Sequence, residues 1–215
     1  MARSVRTRLT PPHLASLPRE REQLEYSSRS IVFARDGDRL LRAWGPPTRP
    51  FVVAVEPAGH RWGVEGWGCT VAAARAAVRE MFSLDDPIEE FYRQTRAEPV
   101  LRGTERSFRG LRLPRDANVY EALLHSVVGQ QLSVAAANSL KRRLIERFGR
   151  VLVAGGAEVP LVPSPASLQR AGPGSLRSLG LSRAKSAALP SELAFSVSHQ
   201  RTELLNENTP SLWPW

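Results

Sequence analysis

Tyr120-Glu-Ala-Leu-Leu-His-Ser-Val-Val-Gly-Gln-Gln-Leu-Ser-Val-Ala-Ala-Ala-Asn-Ser-Leu-Lys-Arg-Arg-Leu-Ile-Glu-Arg-Phe-Gly149 reads as two helices meeting at a polar elbow. Asn118 is placed to cap the first helix, with Glu121 three residues on bonding back in the manner of a capping box. The apolar spacing then predicts a buried stripe of Val119, Ala122, Leu123 and Val127. Gly129 breaks the period, and Ser133 caps a second helix whose Val134, Ala137, Leu140, Leu144 and Phe148 recur at helical spacing until Gly149. The opposite face of that helix carries Lys141, Arg142, Arg143 and Arg147, while Gln130, Gln131 and Leu132 stand at the elbow. A basic helix beside a loop tipped with amides and one apolar side chain suits a protein that grips phosphates and pushes into a base stack. On the residues alone, an amphipathic hairpin with a solvated basic face is the simpler account.

Within this stretch, Val127-Val-Gly-Gln-Gln-Leu-Ser-Val-Ala-Ala-Ala137 resembles the signature elbow of the alkylation-repair DNA glycosylases, the 3-methyladenine glycosylase II branch of the helix-hairpin-helix superfamily. Phe108-Arg-Gly-Leu-Arg-Leu-Pro114 resembles the segment leading into the first helix, and Leu179-Gly-Leu-Ser-Arg-Ala-Lys185 resembles a later turn and helix. The resemblance runs from Ile31 to about Leu189. It implies base excision repair: an alkylated purine is swung out of duplex DNA and its N-glycosidic bond is hydrolysed. It also implies that Gln131 or Leu132 fills the gap left in the stack, with Gln130 and Ser133 beside it and Lys141, Arg142 and Arg143 on phosphates.

Loss of the base leaves positive charge on the sugar, so such enzymes set a carboxylate against an oxocarbenium-like transition state. In the resembled family that group is an Asp following a Gly-Ile-Gly type hairpin. Here the five aspartates are Asp36, Asp38, Asp85, Asp86 and Asp116, and no hairpin of that type follows Lys185. None of the later glutamates, from Glu121 to Glu207, lies in the motif context, so no catalytic residue is assigned. The abrupt end of the match favours a truncated or frame-shifted glycosylase product over a fragment completed by a separately encoded partner or a repurposed, non-catalytic DNA-binding relative. A truncated core is expected to leave Leu123, Val127, Leu140 and Leu144 partly exposed and the protein marginally stable.

Composition agrees with a nucleic-acid partner. Thirty basic against 21 acidic residues give a net charge of +9 and a pI near 11.0, which favours polyanions. Only Lys141 and Lys185 are lysines, so the excess is nearly all arginine and partly reflects genomic composition. Cys69 is the sole cysteine, which excludes an internal disulfide, a cysteine-ligated zinc site and the iron–sulfur relatives of the superfamily. None of the four histidines is read as pairing with a second ligand at metal spacing, and neither a metal nor a small-molecule cofactor is expected. Without a membrane-length apolar run or a secretory leader, the expected location is cytoplasmic, at the nucleoid. A basic membrane-surface protein ranks last for want of an amphipathic stripe with aromatic anchors.

The expected fold class is α+β: an N-terminal antiparallel sheet with packed helices, followed by an incomplete, mainly α-helical glycosylase domain. Residues 1–28 read as a flexible arm or a weakly held helix around Pro18 to Leu24. Residues 29–98 form the α+β domain, with strands Ile31–Ala34, Arg39–Trp44, Phe51–Val55 and Arg61–Trp67. A helix capped by Thr70 follows, then one opened by a Ser83/Asp86 capping box. Trp44, Trp62 and Trp67 fall in this module and read as core or sheet surface rather than as an aromatic base pocket. Residues 99–195 form the partial helical domain and 196–215 an unmatched tail. Within the helical part, Arg150 to Pro165 reads as a proline-spaced loop rather than a dinucleotide-binding strand and glycine turn. Ser164-Pro165 starts a short helix ending near Ala171, and Ser182 caps a last helix that Pro190 interrupts.

Overall fold

The computed structural model describes residues 3–12, 15–27, 30–101, 103 and 108–190; the expected tail at 196–215 lies outside them. The chain divides into two compact units, Met1–Ala117 with Val151–Pro160, and Asn118–Arg150 with Leu161–Trp215.

The first unit is built on a five-stranded antiparallel sheet of β1 (Ser4–Leu9), β2 (Phe33–Asp36), β3 (Arg39–Trp44), β4 (Phe51–Ala58) and β5 (Arg61–Trp67), in the order β1-β5-β4-β3-β2. The four central strands follow the expected segments. Two-residue turns at Gly37 and Gly59, both with positive φ, join neighbours. Residues 4–9 correct the reading of a flexible arm, because they pair in register with β5 from Ser4 opposite Trp67 to Leu9 opposite Trp62. The alternation that makes this a strand was there to read: Leu9 is fully buried, while Arg6 and Arg8 point to solvent. Arg6 pairs with Glu65 at 3.0 Å, and Arg39 reaches the same carboxylate at 2.7 Å. The helix that follows, α1 (Leu17–Tyr26), is firmly held through Leu17 and Leu24, each 1% exposed.

Helix α2 (Val71–Met81) starts at Thr70, whose Oγ1 accepts the Ala73 amide at 3.2 Å. It packs on β1, β4 and β5 through Ala74, Ala77, Val78 and Met81. The approach is close. A Cβ on Gly66 would stand 2.7 Å from Cys69 Sγ and 2.9 Å from the Ala74 methyl, so only glycine admits the helix there. Trp44 and Trp62 belong to the same core, Trp62 meeting Phe82 edge-on at 5.4 Å.

Ser83 does not open a helix. Its φ is +49°, its hydroxyl donates to Leu113 O at 2.6 Å, and α3 (Ile88–Ala97) begins instead after Pro87 without a side-chain cap. The hydroxyl is drawn away from a local cap by the returning segment 108–117, which the first unit ties down at several points. Arg112 donates to Ser83 O at 2.7 Å and Arg115 N to Met81 O at 2.9 Å, while buried Arg42 donates to Arg115 O at 2.8 Å. Those bonds carry the first unit past the expected boundary at residue 98 to Ala117.

The second unit holds α4 (Val119–Gly129), α5 (Val134–Phe148), α6 (Pro165–Ser178) and α7, residues 183–190. Ser164 caps α6, accepting the Ser167 amide at 3.2 Å, and Gly172 (φ +68°) before Pro173 breaks it where the short helix was expected to end. The stretch read as a loop is a hairpin, β6 (Arg150–Ala154) and β7 (Ala157–Leu161), grouped largely with the first unit. Gly155 and Gly156, at φ +57° and +84°, supply the two left-handed positions of a type I′ turn. The tip lies against Trp67, whose ring carbon Cζ2 would be 2.9 Å from a Cβ on Gly155.

Candidate nucleic-acid interface

Helix α4 starts as expected, Asn118 Oδ1 accepting the Glu121 amide at 2.9 Å. Its buried face is rotated by one residue from the predicted stripe. Tyr120, Leu124 and Val128 are within 1% of full burial, whereas Val119 and Leu123 are 51% and 38% exposed and Ala122 and Val127 half-buried. Apolar residues occur nearly all round this helix, so spacing alone does not select a face; packing does. Tyr120 reaches inward to donate its hydroxyl to Pro163 O, and burial pushes its phenol well above the ordinary value.

Helix α5 begins at Ser133, whose Oγ accepts the Ala136 amide at 3.3 Å. Ala137, Leu140, Lys141, Leu144 and Ile145 form its buried side, while Val134 is 54% exposed and Phe148 half-buried. Leu140 and Leu144, at 4% and 1%, are thus covered rather than partly exposed as expected, while Leu123 is exposed and Val127 half-buried. Lys141 is a second correction. At 3% exposure it lies on the inner face, one position after Leu140, and is not offered to a phosphate. Arg142 and Arg143 are exposed as expected. The Arg143 guanidinium lies beside Gly180 (φ +102°), 3.5 Å from where a Cβ would stand.

Between the helices the chain makes a tight turn. Leu132 N donates to Gly129 O at 3.2 Å, Gln130 has φ −51° and ψ 132°, and Gln131 has φ +56°. These values match a type II turn, in which the third position is ordinarily glycine. Here it is glutamine, a strained choice of the kind found where a side chain must be aimed. Gln130, Gln131, Leu132 and Ser133 are all exposed, Leu132 by 41%. An apolar side chain and two amides therefore stand on a rigid elbow at the free amides of a helix N-terminus, with arginines two turns further along.

The elbow is also held from behind. Lys185, in the first turn of α7, donates through Nζ to Val128 O at 2.9 Å and to Gln130 O at 2.7 Å. Sequence reasoning assigned no role to Lys185. The available signal was its rarity, one of two lysines among thirty basic residues.

Residues 124–192, which span the elbow, α5 and Lys185, match the model of the HhH-GPD superfamily base excision DNA repair protein. A DNA-3-methyladenine glycosylase of Bacillus subtilis (strain 168) is 33% identical over 109 residues, which is 51% of this chain and 36% of that protein. The chain thus aligns with about a third of that relative's length. Among solved structures, the 3-methyladenine DNA-glycosylase from Archaeoglobus fulgidus superposes with a TM-score of 0.75 at 23% identity, covering 87% of this chain and 66% of that one. An 8-oxoguanine glycosylase/lyase of Clostridium acetobutylicum gives 0.68 at 13% identity over 93% and 67%. The α+β fold outside the HhH-GPD segment is therefore glycosylase-like as well.

Proposed function

We propose that this chain is the DNA-gripping portion of a base excision glycosylase for alkylated purines. The observation that carries it is the strained, exposed elbow: Gln131, held at φ +56°, and the 41% exposed Leu132 project from the junction of two capped helices. A side chain on such a projection enters the base stack as a damaged nucleotide leaves it. The free amides at the start of α5, with Arg142 and Arg143 beyond them, take the phosphates on either side. Damaged duplex DNA is the partner, and the protein works at the nucleoid.

The reaction of such a site exchanges the bond between the sugar C1′ and the base nitrogen for one to water, releasing free base and leaving an abasic sugar. The bond needs a carboxylate near C1′. No aspartate among the 215 residues follows Asp116. That observation favours a second reading, a DNA-binding relative that recognises damage without cleaving.

One experiment tests both. Binding to an abasic-site duplex and to an intact duplex is followed across salt, and release of free base from alkylated duplex is assayed in parallel. The expected result is salt-sensitive binding with preference for the abasic site and no release. Absence of any preference overturns the wedge, and release of base overturns the non-cleaving half.

A further inference from the structure

The geometry points to Lys185 as the positioning residue that sets the elbow in its wedge-presenting form, an inference that rests on the function just proposed. In a type II turn the central peptide is flipped relative to the commoner type I turn. In this turn that peptide joins Gln130 to Gln131, and its carbonyl oxygen is the one Lys185 holds at 2.7 Å. A type I turn would aim the same carbonyl to the other side and carry Gln131 back to negative φ, the arrangement a glutamine ordinarily prefers. The Lys185 bond thus selects the disfavoured turn. Its second bond, to Val128 O at 2.9 Å, anchors the ammonium on the last turn of α4, where carbonyls lack helical partners and a positive charge is favoured.

A compact ammonium with three rotatable donors suits two converging carbonyls better than the planar fork of arginine. In a chain whose basic residues are nearly all arginine, a lysine stands here. Ser182 fixes its place along the helix, the Oγ accepting the Lys185 amide at 3.3 Å. The elbow and α7 are therefore joined by a clamp that spans 55 positions of sequence and sets the direction of Gln131 and Leu132.

The test uses Lys185→Met in the full chain. The first readout is the backbone carbon chemical shifts of Gln131, which distinguish a left-handed from a right-handed residue without any DNA. They are expected to move to right-handed values; shifts unchanged from the parent overturn the clamp. The second is discrimination between abasic and intact duplex, expected to fall about tenfold while the salt dependence on intact duplex stays as it was. Equal weakening on both duplexes with a shallower salt dependence would make Lys185 a phosphate contact and overturn the inference. If the parent chain itself fails to discriminate, the proposed function falls, and the chemical shifts alone decide the clamp. Should Lys185→Met unfold, Lys185→Gln serves in its place. A double-mutant cycle with Gln131→Gly gives an independent measure: with glutamine the released turn sheds its left-handed strain and recovers part of the lost bond, whereas glycine has no such strain to shed, so the melting-temperature loss from the Lys185 change is expected to grow in that background. Additive losses would count against the clamp.

Discussion

Glu20 Oε1 accepts the backbone amide of Arg112 at 3.2 Å, tying α1 to the segment that closes the first unit. The carboxyl is fully buried, and its second oxygen has no hydrogen-bond partner among the described residues. Burial pushes its pKa from 4.5 up to about 8, against the pull of the Arg112 guanidinium. A carboxyl raised in the folded state stabilises fully below 4.5 and loses that contribution as pH rises through 8. Glu20→Gln keeps the acceptor and removes the titration. Thermal melts are expected to coincide for the two proteins below that window and to favour the variant above it, by about 5 kcal/mol. A variant with the same pH profile as the parent would show that Glu20 does not titrate in this range.

Gly149 ends α5 for a steric reason. A Cβ there would stand 2.4 Å from Leu161 O and 2.5 Å from Ile145 O, both backbone atoms that cannot move aside singly. Gly149→Ala is expected to cost about 3 kcal/mol by overpacking, read as a lower denaturation midpoint. Its φ of −76° suits alanine, so a loss of this size isolates crowding from conformational freedom.

At the elbow, Leu132→Ala removes an exposed side chain and is expected to change stability by less than about 0.5 kcal/mol. Its preference for an abasic over an intact duplex is expected to fall by about 1–2 kcal/mol, the scale of a base-stacking contact. Competition binding with the two duplexes measures it. Full retention of preference would move the wedge to Gln131.

Arg142→Ala and Arg143→Ala are each expected to weaken binding equally on abasic and intact duplexes, lowering the slope of log affinity against log salt by about 1. Lys141→Met, at a position 3% exposed, is expected to leave that slope unchanged. Salt titrations of the three variants separate the outward arginines from the inward lysine.

Caps and turns were legible because each is decided within a few residues. Asn118, Ser133, Thr70, Ser164 and Ser182 all accept the amide three positions ahead. Ser83 is the exception, since Leu113 O, 30 positions away, offers its hydroxyl a better partner than a local amide. The central strands were legible from alternation and intervening turns. Strand β1 was passed over as part of an arginine-rich arm although Arg6 and Arg8 alternate with Thr7 and Leu9, and the β6–β7 hairpin was missed although Gly155-Gly156 is a strong two-residue turn.

What the sequence by itself determined is where helices begin, where the chain turns, and that Gln131 and Leu132 fall between two caps. Such features follow from backbone geometry and short-range hydrogen bonds. Tertiary structure alone decided which face of α4 is buried, Tyr120, Leu124 and Val128 rather than Val119 and Leu123. It also turned Lys141 inward, and it brought Lys185 to the carbonyl of Gln130. A helix with apolar residues nearly all round gives packing, not periodicity, the choice of face. A contact between distant positions has no local pattern to announce it.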